Sequence, residues 1–122
     1  MKSLLKFFIA SKIAIGFTVA QEMHTVYAGD MYFNPSNLTI NEGDTVKFIN
    51  EDGYHDVAVT AGPEMLNLSA CSGPCTIGTL VFETPGDYDY ECSIGSHASM
   101  GMVGTIMVDA VTLEETASVQ II

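Results

Sequence analysis

The stretch Cys-Ser-Ile-Gly-Ser-His-Ala-Ser-Met-Gly-Met, residues 92–102, places one cysteine, one histidine and two methionines in a glycine-rich segment. Four residues separate Cys92 from His97, and four more separate His97 from Met102. A thiolate, two imidazoles and a weak axial thioether are the donors of a type 1 copper site. The stretch therefore predicts copper binding and requires a second histidine from elsewhere in the chain.

His55 is the candidate for that second imidazole, because it begins a strand-like segment upstream. The predicted metal ligands are thus His55, Cys92, His97 and Met102, holding one copper ion per chain. Met100 competes with Met102 for the axial position. His24 is expected to be an exposed residue near the start of the mature chain.

Short runs of alternating apolar and polar residues, separated by turn residues, fill most of the chain. This pattern predicts an all-β fold, a Greek-key β-sandwich of about seven to eight strands. The predicted strands are residues 24–28, 38–40, 45–50, 55–60, 76–82, 88–92 and 104–108, and residues 61–74 are expected to be irregular. Cys92 then ends one strand and Met102 precedes the next, so the intervening loop must double back, with Gly95, Gly101 and Gly104 permitting its turns.

The 122 residues suffice for one domain. Residues 1–20 are predicted to be a signal peptide, because a short positive start is followed by an apolar run and by small residues before Gln21. Lys12 interrupts that run. Residues 21–109 then form the domain, and residues 110–122 are a tail of unassigned structure. Cleavage leaves a soluble, exported protein with no stable membrane insertion.

The mature chain is strongly acidic. Lys47 is its only cationic side chain against 15 aspartates and glutamates, giving a formal charge of −14. Nucleic-acid binding is excluded, because it needs cationic side chains that displace counterions. The charge favours association with basic partners, or alternatively only keeps the surface solvated.

The cysteine count is odd: Cys71, Cys75 and Cys92. In an exported protein the first two are expected to form a local disulfide. Cys92 is then left as a free thiol, which persists in an oxidising compartment when it is buried or bound to metal.

Several segments resemble the cupredoxin family of small blue-copper proteins, which includes plastocyanin, azurin and rusticyanin. They are residues 86–92 (Gly-Asp-Tyr-Asp-Tyr-Glu-Cys), His97, residues 101–108 (Gly-Met-Val-Gly-Thr-Ile-Met-Val), residues 41–46 and residues 54–57. The resemblance implies that His55, Cys92, His97 and Met102 are copper ligands, and it favours Met102 over Met100. The four-residue gap between Cys92 and His97 is longer than in plastocyanin and similar to azurin and rusticyanin.

The resemblance also implies a function, that of an electron carrier and not an enzyme. The protein is expected to be a monomer that passes single electrons between redox partners, such as basic c-type cytochromes, by Cu(II)/Cu(I) cycling. The periplasm is the first choice of compartment, with a thylakoid lumen or an extracellular site as alternatives. A copper-binding or delivery protein of the same fold, or a domain of a larger copper redox complex, remains the alternative function.

Asp56 follows His55 where the family often has asparagine. We expect Asp56 to tether the His55 segment to the Cys92 loop through Ser93, and its backbone N–H to point at the Cys92 sulfur.

Overall fold

The computed structural model describes residues 20–112, and nine β-strands account for most of them. The strands are β1 (Met23–Gly29), β2 (Tyr32–Asn34), β3 (Asn37–Asn41), β4 (Thr45–Asn50), β5 (Tyr54–Ala61), β6 (Asn67–Ser72), β7 (Cys75–Val81), β8 (Gly86–Glu91) and β9 (Val103–Asp109). A single 3₁₀ turn, Ala98–Met100, is the only helical element in these residues. The all-β prediction is confirmed, with more strands than expected.

The strands form two sheets, in the orders β2-β1-β4-β7 and β3-β9-β8-β5-β6. Both sheets are mixed, because β1 pairs with β4 and β3 pairs with β9 in parallel, whereas the other neighbours are antiparallel. The segment Gln21–Thr112 is one compact unit. The described residues contain no helix with the length and apolar character needed to cross a bilayer.

The core lies between the two sheets and follows from the two-residue period of the strands. In β4 the alternate residues Val46, Phe48 and Asn50 are buried, as the sequence pattern predicts. Phe48 meets Phe33 and Tyr90 edge to face, with ring centroids 6.3 Å and 5.5 Å away. These contacts join strands of both sheets.

Two strands were not predicted. β6 lies inside residues 61–74, the segment expected to be irregular, and β2 is only three residues long. β6 is an edge strand whose residues are exposed or half-buried, and its pairing with β5 shifts register between His55 and Val57. An edge strand of this kind lacks the alternating apolar pattern that identifies a strand from sequence.

The predicted disulfide is confirmed: Cys71 is bonded to Cys75. Cys71 lies in β6 and Cys75 begins β7, so the bond links edge strands of opposite sheets. Cys92 is buried and free.

The predicted leader 1–20 and tail 110–122 lie outside the described residues, except for residue 20 and residues 110–112. In this last part the backbone N–H of Val111 donates a hydrogen bond of 2.9 Å to Glu42 Oε1.

Candidate metal centre

His55 and Cys92 come from neighbouring antiparallel strands. His55 is the second residue of β5, and Cys92 directly follows β8, which pairs with β5. Both side chains point into the sandwich and are completely buried. The predicted faces explain this, because His55 shares its side of β5 with Val57 and Val59, which are also buried.

His97 reaches the same point because the loop folds back on itself. At the base of the loop, the backbone N–H of Cys92 donates to the Met102 carbonyl at 3.1 Å. The N–H of Met102 in turn donates to the His97 carbonyl at 3.1 Å. Gly101 closes the 3₁₀ turn at φ 104°, a left-handed conformation that favours glycine.

Three donor atoms converge on one point. The Nδ1 atoms of His55 and His97 are 3.3 Å apart, and the Cys92 sulfur lies 3.7 Å from the first and 3.5 Å from the second. A point equidistant from all three atoms lies about 2.0 Å from each. For comparison, zinc bonds to imidazole nitrogen are about 2.0 Å long and those to thiolate about 2.3 Å. The triangle therefore has the size of a metal coordination plane.

The chemistry of these donors also fits a cation. A neutral imidazole carries one ring hydrogen, so each Nδ1 either donates or presents a lone pair. With both ring hydrogens on Nε2, two lone pairs and a sulfur face each other at these distances, and a cation between them turns their repulsion into attraction. The residues present thus fit a bound metal.

The two methionines differ in burial. Met102 is 0% exposed, whereas Met100 is 60% exposed and its sulfur accepts a hydrogen bond of 3.7 Å from Ser96 Oγ. Met102 is held next to Cys92 by the backbone bond at the base of the loop. Of the two, only Met102 belongs to the buried core, as Cys92 does.

The Cys92 sulfur is buried, and two backbone N–H groups partly offset the effect of this burial on its pKa. Burial, the largest effect, raises the pKa of the Cys92 thiol, while the backbone N–H groups of Asp56 and Ile94 oppose this rise. The N–H of Asp56 was predicted to face this sulfur. The contact from the N–H of Ile94 was not predicted, because the direction in which a backbone N–H points in a loop cannot be inferred from the residue type.

The predicted tether between Asp56 and Ser93 is present. Ser93 donates its backbone N–H to Asp56 Oδ1 at 2.6 Å and its hydroxyl to Oδ2. The two hydrogen bonds join the segment that begins at His55 to the loop that begins at Cys92. The contact therefore fixes two metal-ligand candidates relative to each other.

The prediction for His24 is wrong. Its side chain is only 21% exposed, and its Nε2 lies 2.9 Å from Oδ2 of the buried Asp44. Burial acts to raise the pKa of Asp44, but hydrogen bonds from His24 and from the N–H groups of Glu22 and Asn41 outweigh it and hold that pKa below its ordinary value. Glu22, His24 and Asp44 also form a cluster of possible ligand atoms. The Asp44 oxygens, however, are already hydrogen-bonded within the protein.

The comparison with protein families agrees with this geometry. Residues 20–109 match the family model described as copper binding proteins, plastocyanin/azurin family. The chain belongs to the plastocyanin/azurin family. Copper is therefore the metal that the centre is built to hold, and the cupredoxin resemblance seen in the sequence is confirmed.

Known relatives and structures support the same assignment. Plastocyanin of Prochlorothrix hollandica is 36% identical over 99 residues, covering 75% of this chain and 73% of that protein. The reduced Cu(I) form of an amicyanin mutant superposes with a TM-score of 0.61 at 27% identity, over 75% of this chain and 86% of amicyanin. A copper-containing nitrite reductase from Thermus scotoductus has a TM-score of 0.60 at 29% identity, over 77% of this chain but 24% of the reductase.

Proposed function

We propose that this protein is a one-electron carrier whose copper is held by His55 and His97 through Nδ1, by Cys92 through Sγ, and by Met102. The convergence of the two Nδ1 atoms and the sulfur within 3.3–3.7 Å is the observation that carries the proposal. Bound copper would supply a Cu(II)/Cu(I) couple. The protein holds the donors in a rigid frame and keeps water away from three of them, His55, Cys92 and Met102.

Burial of the donors argues for a carrier and against an enzyme. His55, Cys92 and Met102 are fully buried, which leaves no open side at which a substrate could bind. An enzyme such as a nitrite reductase has further copper sites rich in histidine. The chain has three histidines, and the third, His24, pairs with Asp44.

His97 supports a route for the electron, because it is the one half-buried member of the proposed ligand set. Ile94 and Ala98 beside it are also half-buried, and Met100 is exposed. A small apolar surface of this kind suits brief encounters with a redox partner. The mature charge of −14 favours a basic partner such as a c-type cytochrome.

The proposal includes export. Residues 1–20 would act as a signal peptide, residues 21–109 as the copper domain and residues 110–122 as a tail. A disulfide between Cys71 and Cys75 suits an oxidising compartment, of which the periplasm is our first choice. All four proposed ligands come from one chain, so the copper centre needs no second copy, and we propose that the carrier is a monomer.

The test is to add Cu(II) to the purified protein and record its visible and electron-paramagnetic spectra, followed by voltammetry. We expect an intense thiolate-to-copper band, one copper per chain and a reversible couple. Cys92→Ser should abolish the band. Met102→Leu should shift the spectrum and the potential, whereas the matched control Met100→Leu should not.

Absence of the thiolate-to-copper band in the wild-type protein would refute the proposal. Two coppers per chain would instead indicate a binuclear centre. A normal band with an inaccessible or irreversible couple would favour copper delivery over electron transfer.

A further inference from the structure

The second ring nitrogen of His55 has no hydrogen-bond partner in the described part of the chain. Its Nε2 is completely buried. When Nδ1 offers its lone pair to a metal, the ring hydrogen of a neutral imidazole must be on Nε2. His55 therefore carries a buried N–H donor, and a donor left unpaired in a protein interior is destabilising.

Asp30 is the acidic residue that faces this nitrogen. Its Oδ1 lies 3.7 Å from His55 Nε2. This distance is too long for a hydrogen bond but short enough for electrostatic attraction between a carboxylate and a polar N–H. The Asp30 side chain is 64% exposed, so it lies between solvent and the buried ring.

The backbone of the turn that contains Asp30 has an unusual conformation. Asp30 lies in the two-residue turn between β1 and β2, whose second residue, Met31, has a φ of 69°. Methionine rarely adopts this left-handed conformation, and such strain persists where the surroundings impose it.

Two hydrogen bonds clamp this turn to the segment before His55. The Glu51 N–H donates to the Ala28 carbonyl at 2.8 Å, and the Tyr32 hydroxyl donates to Glu51 Oε1 at 2.8 Å. Both bonds lie beside the turn that holds Asp30. They hold the backbone of the turn next to the segment that leads to His55.

Gly53 leaves the space that this contact needs. A Cβ atom at Gly53 would lie 2.6 Å from His55 Nε2 and 2.9 Å from Asp30 Oδ1. Any side chain there would push the two groups apart. The contact between Asp30 and His55 thus depends also on the glycine at position 53.

We propose that Asp30 is a positioning residue of the copper centre. Its carboxylate pairs with the Nε2 hydrogen of His55, which fixes the ring with Nδ1 towards the metal. Its negative charge also stabilises the oxidised site relative to the reduced one. This inference rests on the proposed function, because it assigns His55 as a ligand.

The first test measures the reduction potential of the copper-loaded protein. Asp30→Asn and Asp30→Ala should both raise the potential, because each removes the negative charge. Asp87→Asn is the matched control: it removes the same charge at the start of β8, five residues before Cys92. It should shift the potential less than either Asp30 variant.

The second test follows the His55 ring in the metal-free protein by nitrogen-15 NMR. The wild type should show a hydrogen on Nε2 that exchanges slowly with water. Asp30→Ala should speed its exchange, and Asp30→Asn should keep it slow, because the amide oxygen of asparagine still offers an acceptor that attracts the Nε2 hydrogen.

A potential and a ring signal that respond to Asp30→Ala no more than to Asp87→Asn would overturn the proposal. Failure of the proposed function looks different, because the wild type itself would then lack the thiolate-to-copper band. The NMR comparison would still decide whether Asp30 positions His55.

Discussion

The hydrogen bonds between Asp56 and Ser93 join the two segments that carry His55 and Cys92, so Asp56→Ala should weaken both the fold and the copper centre. The variant loses two hydrogen bonds to a charged acceptor, each worth about 1.5–3 kcal/mol. The contact is partly exposed to solvent, so we take the lower end of that range. The free energy of unfolding should fall by about 3 kcal/mol, and the melting temperature of a domain this size by roughly 10–20 °C.

Asp56→Asn is the matched control for that variant. Its amide can accept the Ser93 N–H and donate to the Ser93 hydroxyl, so stability should fall by less than about 1 kcal/mol. The Asp56 charge nevertheless acts on the sulfur, because it raises the pKa of Cys92 alongside the larger effect of burial. Its removal should therefore raise the reduction potential.

The measurements are urea unfolding of the metal-free protein, voltammetry, and copper retention against a chelator. Asp56→Ala with wild-type stability and copper retention would refute the tether. Equal potentials in Asp56→Asn and the wild type would refute the effect of the charge.

Three further results are expected. Asp44→Asn should cost about 2 kcal/mol, because hydrogen bonds to a buried carboxylate are lost. Folding lowers the pKa of Asp44, so its carboxylate stabilises the protein at pH values above its ordinary pKa. This stability is lost as the pH falls through the pKa of the folded protein. Unfolding curves from pH 7 to pH 2 should show this loss in the wild type and not in Asp44→Asn. Replacing Cys71 and Cys75 by serine should cost about 2 kcal/mol in urea unfolding, because the closed loop is short, and a reducing agent should then have no further effect. Electron transfer to a basic cytochrome should slow as salt is added, whereas an increase in rate would contradict electrostatic attraction.

The sequence predicted the strands whose alternation is complete. β4 has the predicted bounds, and the buried faces of β5 and β8 were predicted because buried side chains recur at every second residue. β2 and β6 were missed because one is short and the other is a half-exposed edge strand. Their positions depend on pairing with distant strands, which no local pattern encodes.

The donor types of the copper centre were readable from the sequence, but much of its surroundings was not. Asp30 contacts His55 across 25 positions of sequence. His24 meets Asp44 because β1 pairs in parallel with β4, which Asp44 directly precedes. Gly104 was expected to permit a turn. Instead it makes room for the Tyr90 ring, since a Cβ there would lie 2.4 Å from that ring.

The backbone bond between Cys92 and Met102 has a consequence for how this protein can change. Because Glu91 pairs with Val103 directly below that bond, the loop leaves and re-enters the sandwich at one fixed place. We therefore expect that the length of the loop can vary while the sandwich stays intact, as loops between paired strands generally allow. Exchanging the loop would replace three of the four proposed donors at once and leave His55 as the fixed point against which any new loop must fit.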